Sequence, residues 1–117
     1  MTENEELQKK IAKLKGWTHI REVNGQLLGM PPNHPGIWVA PEWPESIADA
    51  WELVEEMERA GNWTRLQTPF TPRDGYRFGC TPSGITGWNG MPDIYESGNT
   101  APISICKAWI AWKEGRG

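Results

Sequence analysis

Thr100-Ala101-Pro102-Ile103-Ser104-Ile105-Cys106-Lys107-Ala108-Trp109-Ile110-Ala111-Trp112 is the stretch that decides how this chain folds. Thr100 has the side chain of a helix N-cap, and Pro102 falls in the first turn, where its missing N–H is tolerated. Beyond it, Ile103, Ile105, Cys106, Trp109, Ile110 and Trp112 cover much of the helix circumference. A helix apolar on most sides is buried in a core or covers an interface between subunits. Trp109 and Trp112 do not share one face with Ile103 and Ile110. The helix is therefore expected to rest on a sheet and to meet a second element or subunit as well. Cys106 lies among apolar neighbours, and Lys107 points about 100° away from it on an ideal helix, so the thiol is read as a core group. Gly115 ends the helix.

Before this helix, residues 82–99 are rich in Gly, Ser, Asn and Pro, with no clear period. They predict a long loop with at most short strands, a feature uncommon unless functional or mobile. Trp63 to Phe70 and Gly75 to Thr81 read as strands. Upstream of them, Ile47, Ala50, Trp51, Val54 and Met57 recur at helical spacing. Pro44 suits the first turn of that helix, Ser46 and Asp49 have capping spacing, and Gly61-Asn62 closes it. From Pro31 to Pro44, five prolines with Trp38 and Trp43 predict an extended strap over the surface. Trp17 to Val23 and Gln26 to Met30 flank Asn24-Gly25, the preferred two-residue hairpin turn. The first segment places Leu7, Ile11 and Leu14 on one helical stripe, with Thr2 and Glu5 at capping-box spacing and Gly16 suited to a left-handed cap.

The chain has 117 residues, enough for one domain spanning 1–117. Lys plus Arg number 12 and Asp plus Glu 15, a formal charge of −3. This balance argues against nucleic acid or an anionic membrane as the main partner. No apolar run approaches the roughly 18 residues of a membrane span. The acidic opening Thr2-Glu3-Asn4-Glu5-Glu6 is unlike a signal peptide, so a cytoplasmic protein is expected. Eight Trp residues among 117 exclude disorder and supply much of a core. Cys80 and Cys106 lack metal-site spacing and are expected to be reduced thiols.

The run Ala50-Trp51-Glu52-Leu53-Val54-Glu55-Glu56-Met57, following Pro41-Glu42-Trp43, resembles a helix of the phage ABA sandwich family. Thr100 to Ala108 is similar to that family's closing segment, and Lys15-Gly16-Trp17-Thr18 and Gly29-Met30-Pro31-Pro32 fit its pattern. The order of motifs is kept over nearly the whole chain. Two departures stand out: Pro44-Glu45 replaces the family's Ser/Thr at the start of the helix, and the region of Gly84 to Asn99 is expanded. The resemblance implies an α+β protein, an α/β/α-layered sandwich with a small, mostly antiparallel sheet and about three helices. It implies a phage or prophage origin, action inside a bacterial cell, and no catalytic residues.

Residue chemistry adds no enzyme signature. His19 and His34 lie on different elements without metal-ligand spacing, and the serines lie outside any nucleophile elbow. Gly84 to Gly90 lacks the lysine and spacing of a phosphate loop. The acids around Glu55 and Glu56 occupy a polar helix face. No catalytic residue, metal or cofactor is expected. The expected function is non-enzymatic protein interaction, with the chain itself through the last helix or with a host or phage protein. The alternative is a nucleotide-type binder in which Trp88 stacks a base, Asn89 hydrogen-bonds to it and Trp38 or Trp43 closes over the other side. Against that alternative, Trp38 and Trp43 read better as lids folded back on a small core, while Trp88 fits either reading equally.

Overall fold

Among the described residues, six short strands pair with their near neighbours in the chain, and three helices hold the resulting pieces together. The computed structural model describes residues 3–67, 75–82 and 94–114. The order is α1 (Glu3–Leu14), β1 (Thr18–Val23), β2 (Gln26–Met30), β3 (Trp38–Val39), α2 (Ile47–Arg59), β4 (Asn62–Gln67), β5 (Tyr76–Pro82), β6 (Ile94–Gly98) and α3 (Ala101–Lys113). The strands make two antiparallel sheets, β1-β2-β3 and β4-β5-β6. The fold is α+β with three helices, as expected, but two sheets stand where one was expected.

The local signals explain most boundaries. Asn24 and Gly25 both have positive φ, 52° and 80°, as the hairpin turn requires, and Val23 pairs with Gln26 across it. His19, with φ 54°, takes up one extra residue between Thr18↔Met30 and Arg21↔Leu28. This bulge breaks the simple alternation expected of β1. At the end of α1, Gly16 (φ 92°) lets its own N–H reach Lys13 O at 3.1 Å and that of Trp17 reach Ala12 O at 3.0 Å. The two bonds form a Schellman cap. Thr100 caps α3 by accepting from Ile103 N–H at 3.4 Å.

Two helix readings need correction. Pro44 lies in a turn before α2, because Ser46 is the N-cap and accepts from Asp49 N–H at 3.3 Å. The buried face of α2 is Ala50, Leu53, Val54 and Met57, while Ile47 and Trp51 remain 49% and 43% exposed. Trp51 and Leu53 both satisfy a helical period with Ala50 and Val54. Tertiary packing selects the face that carries Leu53.

β6 falls within the stretch read as loop and pairs with β5 from Tyr76↔Gly98 to Cys80↔Ile94. α3 lies against β5 and β6 and also meets α1 and α2. Ile103 through Cys106 and Ala108 through Ala111 are accordingly buried. Neighbours within the chain therefore account for the wide apolar girth of α3. Its approach to the sheet is close: a Cβ on Gly98 would lie 2.7 Å from an Ile103 methyl carbon. Leu27 from the first sheet and Phe78 and Ile94 from the second join one buried cluster with Ile11, Met57 and Trp109.

Candidate functional site

The strap between β2 and α2 holds the first two of the four residues expected to bind. It has a buried end and an exposed end. At the buried end, Gln8 on α1 donates to Pro41 O at 2.8 Å and to Ala40 O at 3.3 Å. Asp49 on α2 accepts from Glu42 N–H at 2.9 Å. Between these ties, Trp43 is 1% exposed and meets Trp17 edge-on, with ring centroids 6.3 Å apart. Trp43 is therefore a core residue with no face for a ligand, which corrects the expectation that it could close over one. Its indole Nε1 has no hydrogen-bond partner among the described residues.

A charged cluster lies beside Trp43. Lys15 Nζ donates to Glu56 Oε1 at 2.9 Å, Lys113 Nζ lies 3.3 Å from Glu56 Oε2, and Trp109 Nε1 donates to Oε2 at 3.1 Å. The Lys15 ammonium also sits 5.9 Å from the Trp43 ring centroid and 5.2 Å from that of Trp109. Burial pushes the Glu56 carboxyl up, but hydrogen bonds and charge from Lys15 and Lys113 outweigh it and hold it below the ordinary glutamate value. The cluster joins the end of α1 to α2 and α3 through one carboxylate shared by two lysines and an indole N–H, an arrangement suited to fastening helices. The buried Cys106 thiol has its pKa pushed up by desolvation, which suppresses the reactive thiolate.

At the exposed end, Ile37, Trp38 and Val39 are 46%, 53% and 55% exposed. Trp38 donates its Nε1–H to Pro35 O at 3.3 Å, and its ring lies 6.0 Å from that of His34. Ala40 N–H donates to Leu27 O at 2.8 Å, and Val39 and Trp38 pair with Leu28 and Gly29. In an antiparallel ladder, bonded and non-bonded pairs alternate. Ala40 and Trp38 therefore direct their backbone groups to β2, and Val39 directs its N–H and C=O to the open edge. The site thus combines a strand edge that no other described strand pairs with and apolar side chains on both faces.

Trp38 is the expected residue that this surface includes. Trp88 and Asn89 lie outside the described residues. Ile37 and Val39 were missed, although β-branched residues flanking a Trp between prolines are the signal of a short edge strand. Among the described residues, no group of three or more His, Cys, Asp and Glu is placed to hold a metal. A groove of about 210 Å³ between α1, α3 and β6 has Leu7 and Ile110 with Lys10, Lys107, Glu96 and Glu114 in its walls. It is smaller than the roughly 300–1,000 Å³ of ligand pockets.

A solved structure, a phage protein from Bacillus cereus ATCC 14579, matches 95% of this chain and 92% of its own, with TM-score 0.61 and 21% identity. The chain shares its fold with a phage protein. No protein-family model matches the chain, and no curated protein does. At 21% identity the likeness concerns fold, so residue roles rest on the geometry above. No helix among the described residues is long and apolar enough to cross a membrane.

Proposed function

We propose that the chain is a phage or prophage accessory protein of the ABA sandwich type, acting without catalysis in the bacterial cytoplasm by binding another protein through its strap. The observation that carries this reading is the exposed run Ile37-Trp38-Val39 on an open strand edge. An edge of this kind accepts an extended segment by main-chain hydrogen bonding, while apolar side chains on either face provide grip. The prolines at 35 and 41 keep the edge short. Short edges resist indiscriminate pairing and favour a partner that fits. The buried Trp43 and the Gln8 hydrogen bond to Pro41 O hold the strap in place before a partner arrives, which lowers the entropy cost of binding.

The test is affinity capture from the bacterial host, compared between the natural chain and Val39→Lys, with native mass spectrometry of the purified protein. A protein recovered with the natural chain and lost with the variant is the expected result. Identical recovery by both, or a chain that retains a nucleotide and no protein, contradicts the proposal.

A further inference from the structure

Pro35-Gly36-Ile37-Trp38-Val39-Ala40-Pro41 has nearly the same pattern in either direction. About Trp38, a β-branched residue comes first on each side (Ile37, Val39), then a small one (Gly36, Ala40), then a proline. Two antiparallel strands related by a two-fold axis present residue i to residue j, and j to i. A segment with this symmetry sets like against like when it meets its own copy with the axis at Trp38. An unrelated strand gains nothing from the symmetry, because main-chain bonding is the same for any sequence.

The backbone of the strap selects the same axis. Ala40 N–H donates to Leu27 O, and Trp38 pairs with Gly29, so both direct their backbone groups to β2. Continuing the alternation, Ile37 and Val39 direct theirs to the edge that no described strand occupies. With the axis at Trp38, Ile37 falls opposite Val39 of the second copy, and Val39 opposite its Ile37. Each of these pairs exchanges both its N–H···O bonds. An axis at Val39 would set Ile37 opposite Pro41, which has no N–H and whose carbonyl already accepts from Gln8. An axis at Ile37 would set Val39 opposite Pro35, which also has no N–H and whose carbonyl accepts from Trp38 Nε1. A slip of one residue would set Val39 opposite Trp38, whose groups face β2. The axis at Trp38 therefore satisfies the most main-chain groups. Trp38 then meets its own copy as the non-bonded pair, with Cα atoms about 4.5 Å apart and the side chains close. Ile37 and Val39 lie on the other face beside Leu28, and all three strap side chains are exposed and available.

We propose that the partner of the strap edge is a second copy of this chain, paired antiparallel about Trp38. The proposal rests on the reading of the strap as the docking surface and names its occupant. Gly36, with φ 97°, turns the chain out of the ladder beyond Ile37, so the contact is short. A contact of this size makes a weak, reversible dimer, with a Kd on the order of 100 µM.

Sedimentation equilibrium of the natural chain from about 10 µM to about 1 mM tests it. The mean mass should rise toward that of two chains, while Val39→Lys should stay single throughout. Over the same range the Val39 amide should exchange about fivefold more slowly, since only the single chain leaves it open. That slowing leaves it far short of the protection of core amides. Oxidation at about 1 mM locates the axis. Trp38→Cys should form disulfide-linked dimers, because Cα atoms about 4.5 Å apart are within reach of the bond. In Val39→Cys the two Cα atoms lie about 8 Å apart, beyond that reach. It should therefore cross-link no more than the natural chain, whose Cys80 and Cys106 set the background. Melting curves establish that each variant is folded. A natural chain that is single at about 1 mM overturns the proposal. Capture of a different protein that is lost with Val39→Lys would then still uphold the strap reading, and failure of that capture would end both. A dimer that Val39→Lys leaves intact also overturns the proposal, as does cross-linking of Val39→Cys as ready as that of Trp38→Cys.

Discussion

The two sheets have equal strand numbers and the same antiparallel pairing, yet they are held in opposite ways. The β4-β5-β6 sheet has α3 along one face, with Ile103 so close to Gly98 that no side chain would fit there. Among the described residues, the β1-β2-β3 sheet has no comparable helix, only a lighter contact with α1. Its first strand is exposed at five of six positions, and its third at both. Leu27 and Gly29 are its buried residues. It is fastened at its margins, through the strap and the end of α1. Stability follows the face that a helix covers, and the sheet left open is where a partner has room to dock.

Changes that break the contrast should rank by how many elements each one disconnects. Trp109 is fully buried, touches the Glu56 cluster and belongs to the helix that serves the second sheet. Trp109→Ala should cost about 3–5 kcal/mol, read as a fall in denaturation midpoint. A loss below about 1 kcal/mol would show that α3 is not the common support.

Glu56→Gln is the next largest, at about 1–3 kcal/mol near neutral pH, because the two lysines lose a charged acceptor. The sign follows from its lowered carboxyl pKa. The charged form is favoured in the fold, so its stabilisation is present above the unfolded value of about 4.3 and is lost as pH falls through the lower folded value. Denaturation of both proteins from pH 7 down to about pH 3 should show the difference shrinking below about pH 4. A difference that grows toward acid would mean that the lysines do not control this group.

Val39→Lys is the smallest effect on stability, within about 0.5 kcal/mol, since the side chain is exposed. Its effect on protein capture should be large. A melting loss of many degrees would mean that the strap end is packed and not presented.

The same contrast separates what was legible in the sequence from what was not. The hairpin turn at Asn24-Gly25, the cap at Gly16 and the N-caps at Ser46 and Thr100 depend on residues a few positions apart. All four appear where their local chemistry puts them. The double-sided burial of α3 was legible because no single surface accommodates its apolar residues. The division into two sheets was not, because strand patterns do not state which strands pair. Trp43 and Trp38 sit five residues apart in one proline-rich segment, yet one is sealed and the other half exposed. That difference comes from α1 and Trp17, which reach the strap from elsewhere in the chain.

Hydrogen exchange measured amide by amide tests the contrast most directly. The Gly79 amide, in the central strand beneath α3, should exchange near the rate set by global unfolding. The Val39 amide faces the open edge and should exchange orders of magnitude faster. Equal, strong protection at Val39 would mean that this edge is already covered, and the strap would lose its claim to be the docking surface.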